Sequence, residues 1–146
     1  MKYSQATHYA LHTMLYLVAL PTENKIAVHQ LAQLQQLSPT YLSKILAKLV
    51  KAGLIESTPG IKGGYRLLKS RSDVSFLDVI HAIEGTASLF QCETTNAHQG
   101  CLIQKVMTEA EEQMETFLSG QKLVDLADQL QSSPFYEKMI HAFVSD

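Results

Sequence analysis

A mostly α-helical fold with one small β-hairpin is what this sequence predicts, on three observations. Apolar residues recur at helical spacing in seven segments, and two strand-like runs flank a single Gly-rich turn. Third, 146 residues at 46% apolar and 18% charged fit one compact domain, with room for an appendage. That composition excludes disorder, fibres and repeat arrays.

The first helix runs over residues 4 to 20, where Leu11, Met14, Leu15 and Val18 recur at i, i+3, i+4 and i+7 before Pro21 closes the run. Its other side carries His8 and His12, one turn apart and so on one face. A short second helix fits Val28, Leu31, Ala32 and Leu34, followed by a turn at Gln35 to Leu37. The third helix has the clearest signature. Ser38 is placed as N-cap and Pro39 as the first helical residue, and Leu42, Ile45, Leu46, Leu49 and Val50 follow in strict helical order until Gly53. Its opposite face carries Thr40, Tyr41, Ser43, Lys44, Lys48 and Lys51, a row of donors and cations facing solvent. A short helix, a tight turn and a second helix with a polar, basic face is the helix-turn-helix pattern.

Leu54 to Thr58 and Tyr65 to Leu68 then read as two strands joined by Pro59 to Gly64, a hairpin wing. Its tip sets Gly63 and Gly64 beside Lys62 and Arg66, so the backbone can approach a phosphate or minor groove while a cation reaches in. A nucleotide cradle does not fit, because the glycines lack the phosphate-loop spacing and no helix follows at once. A short helix over 76 to 84 turns Phe76, Leu77, Val79, Ile80 and Ile83 inward and ends at Gly85. After a polar stretch from Gln91 to Gly100, a long helix over 101 to 119 carries Ile103, Val106 or Met107, Ala110, Met114, Phe117 and Leu118 on one stripe. Its cover is either the same helix of a second subunit or, within the chain, the first helix. Short helices over Leu123 to Leu130 and Phe135 to Phe143 complete the chain, separated at Ser132, Ser133 and Pro134.

The net charge of -2 hides two halves of opposite sign. Residues 1–72 hold nine Lys and Arg against two Glu, a net of +7, whereas residues 73–146 hold three against twelve acids, a net of -9. The division therefore separates a basic, winged helix-turn-helix region (1–72) from an acidic region (73–146) that holds both cysteines and the long, candidate dimerisation helix. A basic half is the footprint of a polyanion binder, and phosphates repel the acidic half.

The longest apolar run, Met14 to Leu20, is far shorter than the roughly 20 residues that a membrane-spanning helix needs. The first dozen residues carry Ser4, Gln5, Thr7, His8 and His12 in place of a signal-sequence core, so the expectation is a cytoplasmic protein. Two cysteines are too few for a disulfide scaffold, which leaves Cys92 and Cys101 reduced, reactive or metal-bound.

Nearly end to end, the chain resembles the Rrf2 family of bacterial winged-helix regulators. The resemblance is carried by Tyr9-Ala10-Leu11, by Leu37 to Leu46, by Leu49 to Ile55, and most specifically by the wing Gly60-Ile61-Lys62-Gly63-Gly64-Tyr65-Arg66-Leu67. Ser75 to Ile80 and Ala82 to Gly85 extend it. The resemblance implies a homodimer with crossed long helices on a palindromic operator in double-stranded DNA, and no enzymatic activity. It further implies that Thr40, Tyr41, Ser43 and Lys44 read bases and that Lys62, Gly63, Gly64, Tyr65 and Arg66 contact the backbone or minor groove. Lys48 and Lys51 fall to phosphate.

Cluster-binding members of that family carry three cysteines before the long helix. Here Cys92 and Cys101 match the outer two, while the middle position falls near Ala97 or His98. The resemblance supplies the missing ligands from His8 and His12, since in some relatives a first-helix residue reaches the partner's cluster loop. Two thiolates and two imidazoles would hold a two-iron two-sulfur (2Fe-2S) cluster, with His98 as a spare ligand, and the same four suit tetrahedral zinc. The expected function is thus a repressor responding to a cluster, redox change or nitric oxide. Two cofactor-free alternatives stay open: a Cys92/Cys101 thiol switch, or a partner protein as the signal. A small metal-dependent enzyme using the same residues with Glu93 as base would leave the basic half without purpose.

Overall fold

The computed structural model describes residues 2–21, 25–91 and 101–144. Seven helices and one antiparallel hairpin make up the described chain, in the order α1 (Gln5–Ala19), α2 (Val28–Gln35), α3 (Pro39–Lys51), β1 (Ile55–Thr58), β2 (Gly64–Leu67), α4 (Phe76–Glu84), α5 (Leu102–Gly120), α6 (Leu123–Leu130) and α7 (Pro134–Val144). The boundaries follow local chemistry. Ser4 caps α1 by accepting the Thr7 N–H, and Ser38 caps α3 by accepting the Tyr41 N–H at 3.1 Å, with Pro39 where no amide partner is needed. Ser75 and Asp78 form a reciprocal capping box on α4.

α1 lies at the centre, packed against α6 and α4. Its buried surface is wider than the predicted stripe: Ala10, Met14, Tyr16, Leu17, Val18 and Ala19 are all buried, whereas Leu11 and Leu15 are only half-buried. A helix enclosed on several sides loses the one-sided pattern on which periodicity relies. α3 adds Leu42, Ile45, Leu46 and Leu49 to the same core, and α6 and α7 add Leu123, Ala127 and Met139, so one core draws on residues from both charge halves.

The hairpin pairs Ile55 with Leu67, Glu56 with Arg66, Ser57 with Tyr65 and Thr58 with Gly64. An isolated bridge joins Ile26 to Tyr65, with N–H to O distances of 2.9 and 2.8 Å, and ties the wing to the segment before α2. Nothing in the local sequence signals this bridge, because its partners lie 39 residues apart.

Within the chain α5 packs chiefly against α4, whereas α1, the intramolecular cover considered above, packs chiefly against α6 and α4. The stripe itself divides. Met107, Met114 and Leu118 turn inward and are half-buried, while Leu102, Ile103, Val106 and Phe117 stand 81, 65, 63 and 65% exposed. Not one residue of this 19-residue helix is buried. No helix among the described residues is long and apolar enough to cross a membrane.

Candidate nucleic-acid interface and sensor residues

The turn between α2 and α3 is made by Gln36 at φ 57, ψ 45, a left-handed conformation adopted by no other described non-glycine residue. It sends α3 across α2 with its buried face fixed by four core residues, so the opposite face is presented rigidly. Thr40, Tyr41, Lys44, Lys48 and Lys51 are exposed there, and Ser43 is half-buried. The Tyr41 ring stands edge-on to Tyr9 of α1 with centroids 6.0 Å apart, which fixes its direction. Lys48 and Lys51 lie in the last turn, where they also complement the helix dipole.

Charge in the basic half is not uniformly free. Arg66 Nε donates to Glu56 Oε1 across the strand pair, Lys69 Nζ lies 2.8 Å from Asp78 Oδ2, and Arg71 bonds the Val18 carbonyl and Asp128. Among the described residues three of the nine cations are therefore in ion pairs, and Arg66 is less free for a groove than its sequence position suggests. Lys44, Lys48, Lys51 and Lys62 lie outside the ion pairs of the described residues. Burial pushes the Asp78 carboxyl up, but the Lys69 and Ser75 hydrogen bonds outweigh it and hold the group below the usual range.

The wing glycines have a structural duty that the sequence did not reveal. A Cβ on Gly63 would sit 2.0 Å from the Thr58 carbonyl oxygen, and one on Gly64, at φ 149, would sit 2.7 Å from that of Ile26. Both residues let strand backbones close on one another, and Tyr65 is half-buried against the core. Pro59, Ile61 and Lys62 are exposed in the turn, with Ile61 and Lys62 at its tip.

Of the expected metal ligands, His8 and His12 are exposed on α1 with ring centroids 4.4 Å apart. His12 Nδ1 lies 2.8 Å from the His8 carbonyl oxygen, which can only accept, so Nδ1 carries the proton and the neutral ring keeps its lone pair at Nε2. Cys101 is the N-cap of α5, half-buried, and its Sγ accepts the Gln104 N–H at 3.4 Å. Cys92, His98 and Glu93 lie outside the described residues. Among the described residues no group of three or more His, Cys, Asp and Glu is placed to hold a metal ion.

Two polar clusters went unnoticed in the sequence. Glu84 at the end of α4 accepts from the Ser4 N–H and hydroxyl and from the Thr7 hydroxyl at 2.6 Å, stapling α4 to the start of α1. Gln104 donates from Nε2 to the Phe90 carbonyl and the Thr108 hydroxyl, and Glu111 accepts from Ser88 and Leu89. These bonds hold Ser88 to Phe90, just before Cys92 in the sequence, against α5.

A capped helix crossing a short one by a left-handed turn, with a hairpin beside it and basic groups facing out, defines a winged helix-turn-helix DNA-binding protein. The comparisons agree. The sequence model of the Rrf2 family, described as iron-dependent transcriptional regulator, matches residues 3–129. The HTH-type transcriptional regulator NsrR of Geobacillus kaustophilus is 32% identical over 133 residues, 90% of each chain. Among solved structures, CymR, the global cysteine regulator of B. subtilis, superposes with a TM-score of 0.69 at 28% identity over 88% of this chain and 98% of that one. T. potens IscR gives 0.70 at 26% identity, over 94% and 96%. The chain belongs to the Rrf2 family of transcriptional regulators, and its relatives are regulators and not enzymes.

Proposed function

We propose that this regulator is a homodimeric repressor of a palindromic operator, with affinity set by a site built from His8, His12, Cys92 and Cys101. The observation that carries the DNA part is the α3 face, where Lys44, Lys48 and Lys51 are exposed and outside the ion pairs of the described residues. Thr40, Tyr41, Ser43 and Lys44 read bases from the first two turns, where a recognition helix meets base edges. Lys48 and Lys51 hold phosphates, and the wing's Lys62 to Arg66 contact backbone or minor groove. The exposed 3-4-3-4 spacing of Ile103, Val106, Ala110, Gln113 and Phe117 supports pairing of α5 with its copy, since such a seam gains only by burial against another helix.

What supports the sensor is the His8/His12 pair, one turn apart with an Nε2 lone pair on His12, and Cys101 at the head of the dimerisation helix. These donors suit a 2Fe-2S cluster completed by Cys92, with His98 in reserve, or zinc. Mixed Cys and His ligation would give such a cluster, when bound, a potential raised toward a usable redox switch. A second reading rests on the Cys101 cap alone: a thiol switch with Cys92 would withdraw Sγ from the Gln104 N–H and loosen the first turn of α5 without any metal.

Anaerobic purification followed by visible absorption and iron, zinc and acid-labile sulfide analysis separates these readings. A coloured, sulfide-containing wild type that bleaches in His8→Ala/His12→Ala supports the cluster, and zinc alone supports a structural site. A colourless, metal-free protein that still binds DNA refutes the cofactor.

A further inference from the structure

We propose that Ile61, at the tip of the wing, is an apolar wedge that enters the DNA minor groove and unstacks a flexible base step. The inference rests on the DNA-binding reading and gives the wing a part in choosing the site. Ile61 has a relative exposure of 105%, so no atom of its own chain covers it. The turn that carries it is closed by a backbone hydrogen bond. Gly63 N–H donates to the Gly60 carbonyl at 3.0 Å, Gly60 sits at φ 101, and Gly63 and Gly64 are pressed against the backbone of Thr58, Pro59 and Ile26.

Single exposed apolar residues are common on protein surfaces, and what distinguishes Ile61 is its company. Lys62 stands exposed beside it and outside the ion pairs of the described residues, while Arg66, the other cation of the wing, is engaged by Glu56. The tip therefore offers the Ile61 side chain and one cation unpaired among the described residues, with the shorter ring of Pro59 at its base. A cation is drawn to the negative potential of a narrow minor groove. A branched aliphatic group has no hydrogen bond to offer a base edge; it gains free energy there by leaving water, and most completely between base pairs that it has parted. Pyrimidine–purine steps unstack at least cost, and these are the steps expected beneath the tip.

The test uses the full-length protein and a dye-labelled duplex selected from a random pool by the wild type. Affinity and end-to-end distance are read for wild type, Ile61→Ala, Ile61→Leu and Lys44→Ala. Ile61→Ala is expected to weaken binding about tenfold and to straighten the duplex. Ile61→Leu is expected to keep both properties. Exchanging the flexible step for a stiff one should weaken the wild type and leave Ile61→Ala unaffected. A bend retained in Ile61→Ala, or affinity lost with no change in bend, overturns the wedge. Lys44→Ala tests the reading beneath it: weakened binding there with Ile61→Ala unchanged removes the wedge alone, and unchanged binding in Lys44→Ala removes the α3 interface. Because Ile61 touches nothing in the fold, unaltered melting of Ile61→Ala excludes misfolding as the cause.

Discussion

α3 and α5 are both amphipathic, yet their apolar faces meet different fates. α3 buries Leu42, Ile45, Leu46 and Leu49 within its own chain, whereas α5 buries nothing and leaves Leu102, Ile103, Val106 and Phe117 in water. An apolar face that is covered positions the polar face behind it, and one that is uncovered asks for a second molecule. In this protein the first arrangement presents the face that we propose reads DNA, and the second supports our proposal of a dimer.

Leu46→Ala is expected to lose about 2–5 kcal/mol of stability through the cavity it leaves, read as a lowered denaturation midpoint. Phe117→Glu should leave that midpoint of the reading head nearly unchanged while dissociating the dimer in sedimentation, with operator affinity falling by at least about tenfold as half-sites are read singly. If Phe117→Glu unfolded the chain as Leu46→Ala does, the contrast between the two helices would be wrong. Lys48→Ala bears on the functional side: affinity should weaken and the slope of log affinity against log salt should shrink by about one, without disturbing assembly.

Two smaller effects concern the joints around the reading head. Hydrogen bonds from Thr7 and Ser4 hold the Glu84 carboxyl below its usual value of 4.5. A depressed folded-state value means the staple contributes fully above the unfolded value and fades as pH falls through the folded one, so acid below about pH 4.5 should selectively weaken wild type relative to Glu84→Gln. Gln36→Gly is expected to raise stability by up to about 1 kcal/mol, because glycine adopts φ 57 without strain, and the gain would appear as a higher melting temperature.

Short-range chemistry was legible in the sequence. Ser38-Pro39 and Gly53 bracket α3 because a cap, a missing amide and a left-handed stop act within one turn, and the observed bounds follow them. The basic face was equally legible, since α3's periodicity places its cations opposite the core. Pairing across the fold was not. Arg71 meets Asp128 and Glu84 meets Ser4 and Thr7 only after α1, α4 and α6 have packed, and no spacing encodes such partners. The wing glycines were read as room for a phosphate, and the distances to Thr58 and Ile26 show that the hairpin itself requires them. For α5 the stripe was correctly found but its division was not, because two half-stripes on one helix read as a single broad one.

The most direct test is a titration of the selected duplex by the full-length protein at several salt concentrations, with stoichiometry measured in the same samples. The account predicts two chains per duplex and affinity that falls steeply with salt. One chain per duplex at saturation, or affinity indifferent to salt, would contradict it.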